Sequence, residues 1–248
     1  LDAQDASIPE FVAALQTLAA RGRVAVSRGH VRLTAPASAP APLTCVCDAC
    51  DGRGYATPPD LPALAELRAA LAGRPGPDFA FDQGAIPPEE SLLRAASMQD
   101  RGDLWGQEVL FVGDFDLTSV ALALTHQPAR VVVLDIDPRV VAFVDAAGAR
   151  LGLPLSGRLF DVRDPLPDDL RRRFDAFVCD PVETLPGIRL YLARGAAALR
   201  GEGSAAWIGL TTLEASRRKW YAIQQILASS GLVVTDLRRR FSGYPDHD

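Results

Sequence analysis

The sequence predicts an α/β protein: a doubly wound, mostly parallel sheet with a small N-terminal unit in front of it. Three observations predict it. From Val109 onward, short apolar runs of strand length alternate with helical patterns. That alternation is the signature of a parallel sheet with right-handed crossovers. The runs 109-VLFVGDFDLTS-119, 131-VVVLDIDP-138, 158-RLFDVRDP-165 and 174-FDAFVCDPVETL-185 each end in carboxylates. Ahead of them, a helical pattern leads into an alternating apolar and polar stretch.

Taken in order, 9-PEFVAALQTLAARG-22 reads as a helix, with Pro9 in its first turn and Phe11, Val12, Leu15 and Leu18 on one face. The stretch 23-RVAVSRGHVRLT-34 alternates about Arg28-Gly29 and reads as a hairpin. A helix followed by a hairpin is the last part of a winged-helix unit, whose earlier helices would precede Leu1. The Pro/Ala run 35-APASAPAPL-43 is an extended linker. Next, 44-TCVCDACDGRGY-55 crowds Cys45, Cys47 and Cys50 into a metal-knuckle pattern, one short of the four ligands of tetrahedral zinc. Asp48, His30 or a residue missing from this sequence are candidates for the fourth, and the pattern fits either one structural zinc or iron or reduced surface thiols. Helix 60-DLPALAELRAALAG-73 is capped by Asp60 and closed by Gly73. A short extended piece from Asp78 then enters a helix from about Pro88. The sheet region reads as strand 109–113, helix 117–126, strand 130–135, helix 138–151, strands 157–161 and 174–179, helix 187–199, strand 204–209, helix 212–230 and strand 232–241. The boundary between the N-terminal part, 1–77, and the sheet domain, 78–248, falls in the Pro/Gly stretch after Gly73.

A chain of 248 residues with 48% hydrophobic content can bury one ordinary core plus a small appendage. The formal charge of -5 argues against a general nucleic-acid surface. No apolar run reaches the roughly 20 residues of a membrane span. The crowded cysteines do not form a secreted disulfide framework, so the cytoplasm is the expected compartment.

Ligands of open α/β sheets bind outside the carboxyl ends of the strands. A row of acids there predicts a ligand with several positive charges. The first loop, 112-VGDFDLTS-119, lacks the G-x-G-x-x-G cradle of a dinucleotide site, and Asp114 and Asp116 would repel a diphosphate. A cofactor without phosphate but with a cationic centre fits better: S-adenosylmethionine or its decarboxylated relative. Gly113 opens the loop. Asp135, ending the second strand, is placed to accept from ribose hydroxyls, and it could equally cap the following helix. Asp161 could meet the adenine amino group. Asp180 and Glu183 follow the fourth strand, facing the transferable group. The stretch 180-DPVE-183 lacks the aromatic platform that a flipped base needs, and its two acids suit an aliphatic amine, which attacks only after a carboxylate has taken its proton.

The motifs 47-CDACDGRG-54, 81-FDQ-83, 113-GDFDLTS-119, 134-LDID-137, 180-DPVETL-185 and 217-RRKWYAIQQIL-227 resemble those of the branched-chain polyamine synthases, the N4-bis(aminopropyl)spermidine synthases. The resemblance covers nearly the whole chain. It implies a partial winged helix followed by a Rossmann-like domain of the class I methyltransferase fold. It implies transfer of aminopropyl groups from decarboxylated S-adenosylmethionine, as co-substrate, to spermidine or a similar polyamine, with release of methylthioadenosine. It places Asp114, Asp116, Asp180 and Glu183 in an acidic amine pocket, with Asp116 and Asp180 as candidate proton acceptors and Gln83 as a further substrate contact. Gly113, Asp135, Ile136, Asp161 and Val162 are the candidate nucleoside contacts. A homodimer is the candidate assembly. Phe115 stands where the family's Gly-Asp-Asp-Asp motif has an acid, and Val182 where its Asp-Pro-Pro-Glu-Thr has a second proline. The first change bears on which polyamine is used and whether the same nitrogen receives a second group.

Two rivals remain from the residues alone. One is an S-adenosylmethionine-dependent methyltransferase on the same fold. The other is a regulator that binds DNA through Arg21, Arg23, Arg28 and Arg32 and senses a polyamine in the sheet domain.

Overall fold

Strands with apolar side chains on both faces can only be satisfied between two helical layers. The computed structural model describes residues 8–35, 47, 50–81, 83–211 and 215–243. In it, β3 (Glu108–Val112), β4 (Arg130–Asp135), β5 (Leu155–Leu159), β6 (Ala176–Cys179) and β7 (Ala205–Ile208) follow the N-terminal hairpin strands β1 (Val24–Ser27) and β2 (His30–Leu33). The five later strands form one parallel sheet in the order β5-β4-β3-β6-β7. Val109, Phe111, Val131, Val133 and Val178 bury one face of this sheet. They meet Leu67, Ala95, Met98, Val120 and Val144 from α2 (Pro62–Ala70), α3 (Pro88–Asp100), α4 (Thr118–Leu124) and α5 (Pro138–Leu151). Leu110, Val112, Leu134 and Phe177 bury the other face against α6 (Leu185–Ala198) and α7 (Arg217–Ser229). The approach on that side is close: a Cβ on Gly195 of α6 would run into the Phe177 ring.

The local signals act as expected at several ends. Pro138 opens α5, the Asp137 carboxylate accepts from the Arg139 N–H, and Gly152 closes the helix at φ 63°. Arg28 and Gly29 take φ 48° and 78°, the left-handed pair that a two-residue hairpin turn requires, and Ser27 pairs with His30. The helix of that unit, α1 (Ile8–Ala20), buries no residue and leaves Ile8, Val12 and Leu18 exposed.

Four expectations are corrected. The third strand of the domain runs Leu155–Leu159, two residues earlier than its charged end suggested. The cap of α2 is Leu61, without a side-chain hydrogen bond, rather than Asp60, and Leu71, not Gly73, is its C-cap. Asp137, not Asp135, caps α5. Residues 232–241 form no strand: Val233, Val234 and Leu237 point outward, 84%, 55% and 68% exposed, and the run pairs with no strand among the described residues.

Candidate active site

The strand order turns about the neighbours β3 and β6, which send their crossovers to opposite sides. A crevice opens outside the carboxyl ends at such a switch point. Asp114 and Asp116 follow β3, and Asp180 follows β6, so the topology brings all three to one place.

Between two of them lies a cation from a third element. Arg94 of α3 reaches Asp180 with Nη1 at 2.6 Å from Oδ2 and Asp116 at 3.2 Å. Asp116 Oδ1 also accepts the Ile86 N–H at 2.9 Å. Burial dominates the Asp116 carboxyl and, with Asp180 nearby, raises it to about 7 against the pull of Arg94. Asp180 lies over Gly209 at the end of β7, where a Cβ would occupy the carboxylate's position. Arg94 Nε donates to Ser242 Oγ at 2.9 Å, which ties the C-terminal segment to the site. Arg53, from the C-x-x-C-x-G-x-G stretch, binds Glu90 of α3 at 2.9 and 3.0 Å.

Asp114 is placed differently. Its Oδ2 accepts the Ser119 N–H at 3.1 Å at the start of α4. A helix start of this kind is where a nucleotide fold holds phosphate; here the protein's own carboxyl takes that N–H. Desolvation raises the Asp114 carboxyl well above the usual range. Glu183 Oε1 accepts from the Thr211 N–H. Phe115 is half-buried and packs against the first hydrophobic core. The substituted position therefore removes an acid while Asp114 and Asp116 keep their hydrogen bonds.

On the other side of the first loop, Asp135 accepts the Asp114 N–H at 3.0 Å and the Asp137 N–H at 2.8 Å. It stands 6% exposed, and burial raises its carboxyl. Gly113, at φ 75°, packs on Tyr191, where a Cβ would be 3.4 Å from the ring. Ile136 is exposed. Gln83 joins this side: its Nε2 donates to Asp137 at 2.9 Å and its Oε1 accepts the Asp78 N–H at 2.9 Å. Asp137, held by Arg139, sits at about 2, below the usual carboxylate range. Val162 packs at the edge of the second core. Asp161 pairs with the exposed Arg163, away from the Arg94 cluster.

The structure thus brings Asp116 and Asp180 together, sets Asp114 and Asp135 beneath the first loop, and leaves Glu183 on the β7 side and Asp161 at the β5 edge. Sequence reasoning missed Arg94. The one signal for it was a lone arginine four residues after Glu90 on a helix that otherwise presents Leu93 and Ala95 inward. Cys45 lies outside the described residues. Cys47 is exposed, Cys50 is half-buried, and Cys179 is buried at the end of β6. Among the described residues no group of three His, Cys, Asp or Glu side chains is arranged to hold a metal. No helix among them is long and apolar enough to cross a membrane.

The parallel sheet, its helices on both faces and an acid cluster at the switch point define a class I methyltransferase-like domain. Consistent with that fold, a putative RNA methyltransferase from Pyrococcus horikoshii superposes with a TM-score of 0.51 at 17% identity, over 70% of this chain and 84% of its own. The finer match is to the branched-chain polyamine synthase A C-terminal domain, which covers residues 63–248, and the chain belongs to that family. An N(4)-bis(aminopropyl)spermidine synthase from Thermus thermophilus is 44% identical over 92% of this chain and 66% of its own length. One from Thermococcus kodakarensis is 41% identical over 80% and 57%. The crystal structure of the Thermus thermophilus branched-chain polyamine synthase in complex with N4-aminopropylspermidine and 5'-methylthioadenosine matches with a TM-score of 0.88 at 42% identity, covering 98% of this chain and 70% of that one. The chain thus spans 57–66% of the length of these two curated relatives.

Proposed function

We propose that this chain is an aminopropyltransferase: it moves an aminopropyl group from decarboxylated S-adenosylmethionine to an amine of a polyamine such as spermidine. The products are a branched polyamine and methylthioadenosine. The observation that carries this reading is the Asp116–Asp180 pair at the strand ends, which holds a single cationic nitrogen between two carboxylates. The relatives' names and the bound product of the Thermus thermophilus protein point the same way.

The donor supplies a sulfonium-activated propylamine carbon. The residues present fit it on one observation in particular. Asp114 takes the Ser119 N–H at the start of α4, so the helix start that would hold an anionic group is already filled by the protein's own side chain, which suits an amine-bearing cofactor better than a carboxylate-bearing one. That feature also separates this reading from an ordinary methyltransferase. Asp135, Gly113 and Ile136 are assigned to the nucleoside, with Val162 and Asp161 further along the same edge. Gln83 fixes Asp137 beside them and belongs with this side of the site.

In the transfer, the acceptor nitrogen gains a bond to carbon as the carbon–sulfur bond breaks and its electron pair leaves with sulfur. The nitrogen must lose a proton, and a carboxylate within reach accepts it. Asp116, whose carboxyl is raised to about 7, is matched to that task near neutral pH. Asp180 and Glu183 hold the remaining charge.

Mass spectrometry of the full chain with decarboxylated S-adenosylmethionine and a polyamine panel tests this. The expected result is methylthioadenosine and a product heavier by one or two aminopropyl groups. Consumption of S-adenosylmethionine with methylated product would overturn it.

A further inference from the structure

A nitrogen at 2.6 and 3.2 Å from two carboxylates already occupies the point where an acceptor ammonium would sit between Asp116 and Asp180. That nitrogen belongs to the protein. Two cationic nitrogens cannot share one such point, since the second would be in contact with the first and repelled by it. Yet an empty pair is also unfavourable, because Asp116 is 6% exposed and the two carboxylates face one another.

Resting on the polyamine reading above, we propose that Arg94 is a resident counter-cation: it fills the acceptor subsite between Asp116 and Asp180 and is exchanged for an ammonium group of the polyamine when substrate binds.

The fold gives the arginine somewhere to go. Glu90 lies four residues earlier on α3, the spacing and order at which a glutamate and a following arginine meet on a helix. Glu90 is already committed to Arg53, but a carboxylate has two oxygens and about four acceptor sites, and Arg53 engages both oxygens with one nitrogen, Nη1. The Nε bond to Ser242 can hold the base of the guanidinium while its tip moves. A guanidinium keeps its charge at any working pH, so the exchange trades one cation for another and leaves the charge between the acids constant. Arg94 is therefore a positioning residue: it keeps the acids in place before substrate arrives, and it competes with the substrate that replaces it.

Competition has a sign that a merely structural role lacks. Calorimetry with spermidine, and separately with methylthioadenosine, is run on the full chain and on Arg94→Met and Arg94→Gln. The expected result is spermidine binding tighter in the variants by about 10–100-fold, the range for one charge-assisted hydrogen bond set free, with methylthioadenosine binding unchanged. Spermidine binding that weakens or stays the same in folded variants would overturn the exchange. Folded proteins that bind methylthioadenosine but no polyamine, wild type included, would instead overturn the polyamine reading on which it rests. If neither variant folds, a crystal structure of the wild-type chain with spermidine decides: a spermidine nitrogen between Asp116 and Asp180 with Arg94 withdrawn supports the exchange, and Arg94 still bridging both overturns it.

Discussion

Replacing Asp116 by Asn should change both the height and the shape of the pH profile. The carboxyl is raised to about 7, so about half of it is ionised at pH 7 and about a tenth at pH 6. In the wild-type chain a charged amine can enter and hand its proton to the ionised carboxylate. The parameter kcat/KM, which reports the free enzyme, should therefore climb about tenfold per unit up to pH 7 and then level. The Asn side chain keeps the acceptor oxygen for the Ile86 N–H, now bonded at 2.9 Å, but cannot take a proton. Only amine already deprotonated in solution can then react. The variant should fall by about 10²–10⁴ at neutral pH, or about 3–5.5 kcal/mol of barrier. Its rate should go on rising beyond pH 7, toward the value of an alkylammonium near 10. Steady-state kinetics from pH 5.5 to about 9.5 with both proteins reads all of this. A variant with near-native kcat/KM, or with a break that stays near pH 7, would show that Asp116 is not the proton acceptor; Asp180 or water would then have to be.

Asp135→Ala should weaken methylthioadenosine binding by about 1.5–3 kcal/mol, the range for hydrogen bonds to a charged group, and leave polyamine binding nearly unchanged; calorimetry checks it. Because Asp135 also accepts the N–H groups of Asp114 and Asp137, the same variant should melt earlier, and Asp135→Asn, which keeps one acceptor oxygen, should melt between the two. The Asp137 carboxyl, held at about 2 by Arg139 and Gln83, contributes stability that is fully present above about pH 4 and is lost as pH falls through about 2. Thermal melts between pH 5 and 2 should show the wild type losing more than Asp137→Asn over that window.

The fold was legible where local signals agreed with one another. The continuous Val131–Leu134 run, Pro138 at a first helical position and Gly152 just past the end located β4 and α5 within a residue. Reading failed where an apolar run found no strand partner among the described residues. The apolar run that opens 232–241 reads as a strand just as the hairpin does, but β1 has β2 beside it, and among the described residues Val233 pairs with no strand. The carboxylates of the site could be found because each closes an apolar run, so position along the strand fixes position in the crevice. Arg94 could not be found in that way. It arrives from a helix that precedes the sheet in sequence, and nothing in 88-PEESLLRAAS-97 states that this face meets Asp180, 86 residues later. The fate of Phe115 was hidden for a related reason, since the loop's twist, with Leu117 at φ 56°, decides which of its side chains enter the core.

The bond from Arg94 to Ser242 spans 148 residues, and this sets an order of events during synthesis. At about 5–20 residues per second on the ribosome, Ser242 is made about 7–30 s after Arg94. Asp116 follows Arg94 by 22 residues and Asp180 by 86, so the first carboxylate is polymerised within about 1–4 s and the second within about 4–17 s at that rate. The arginine can therefore find its acidic partners in succession while the chain is still being made, and the C-terminal segment closes on an ion cluster whose other members are already in place.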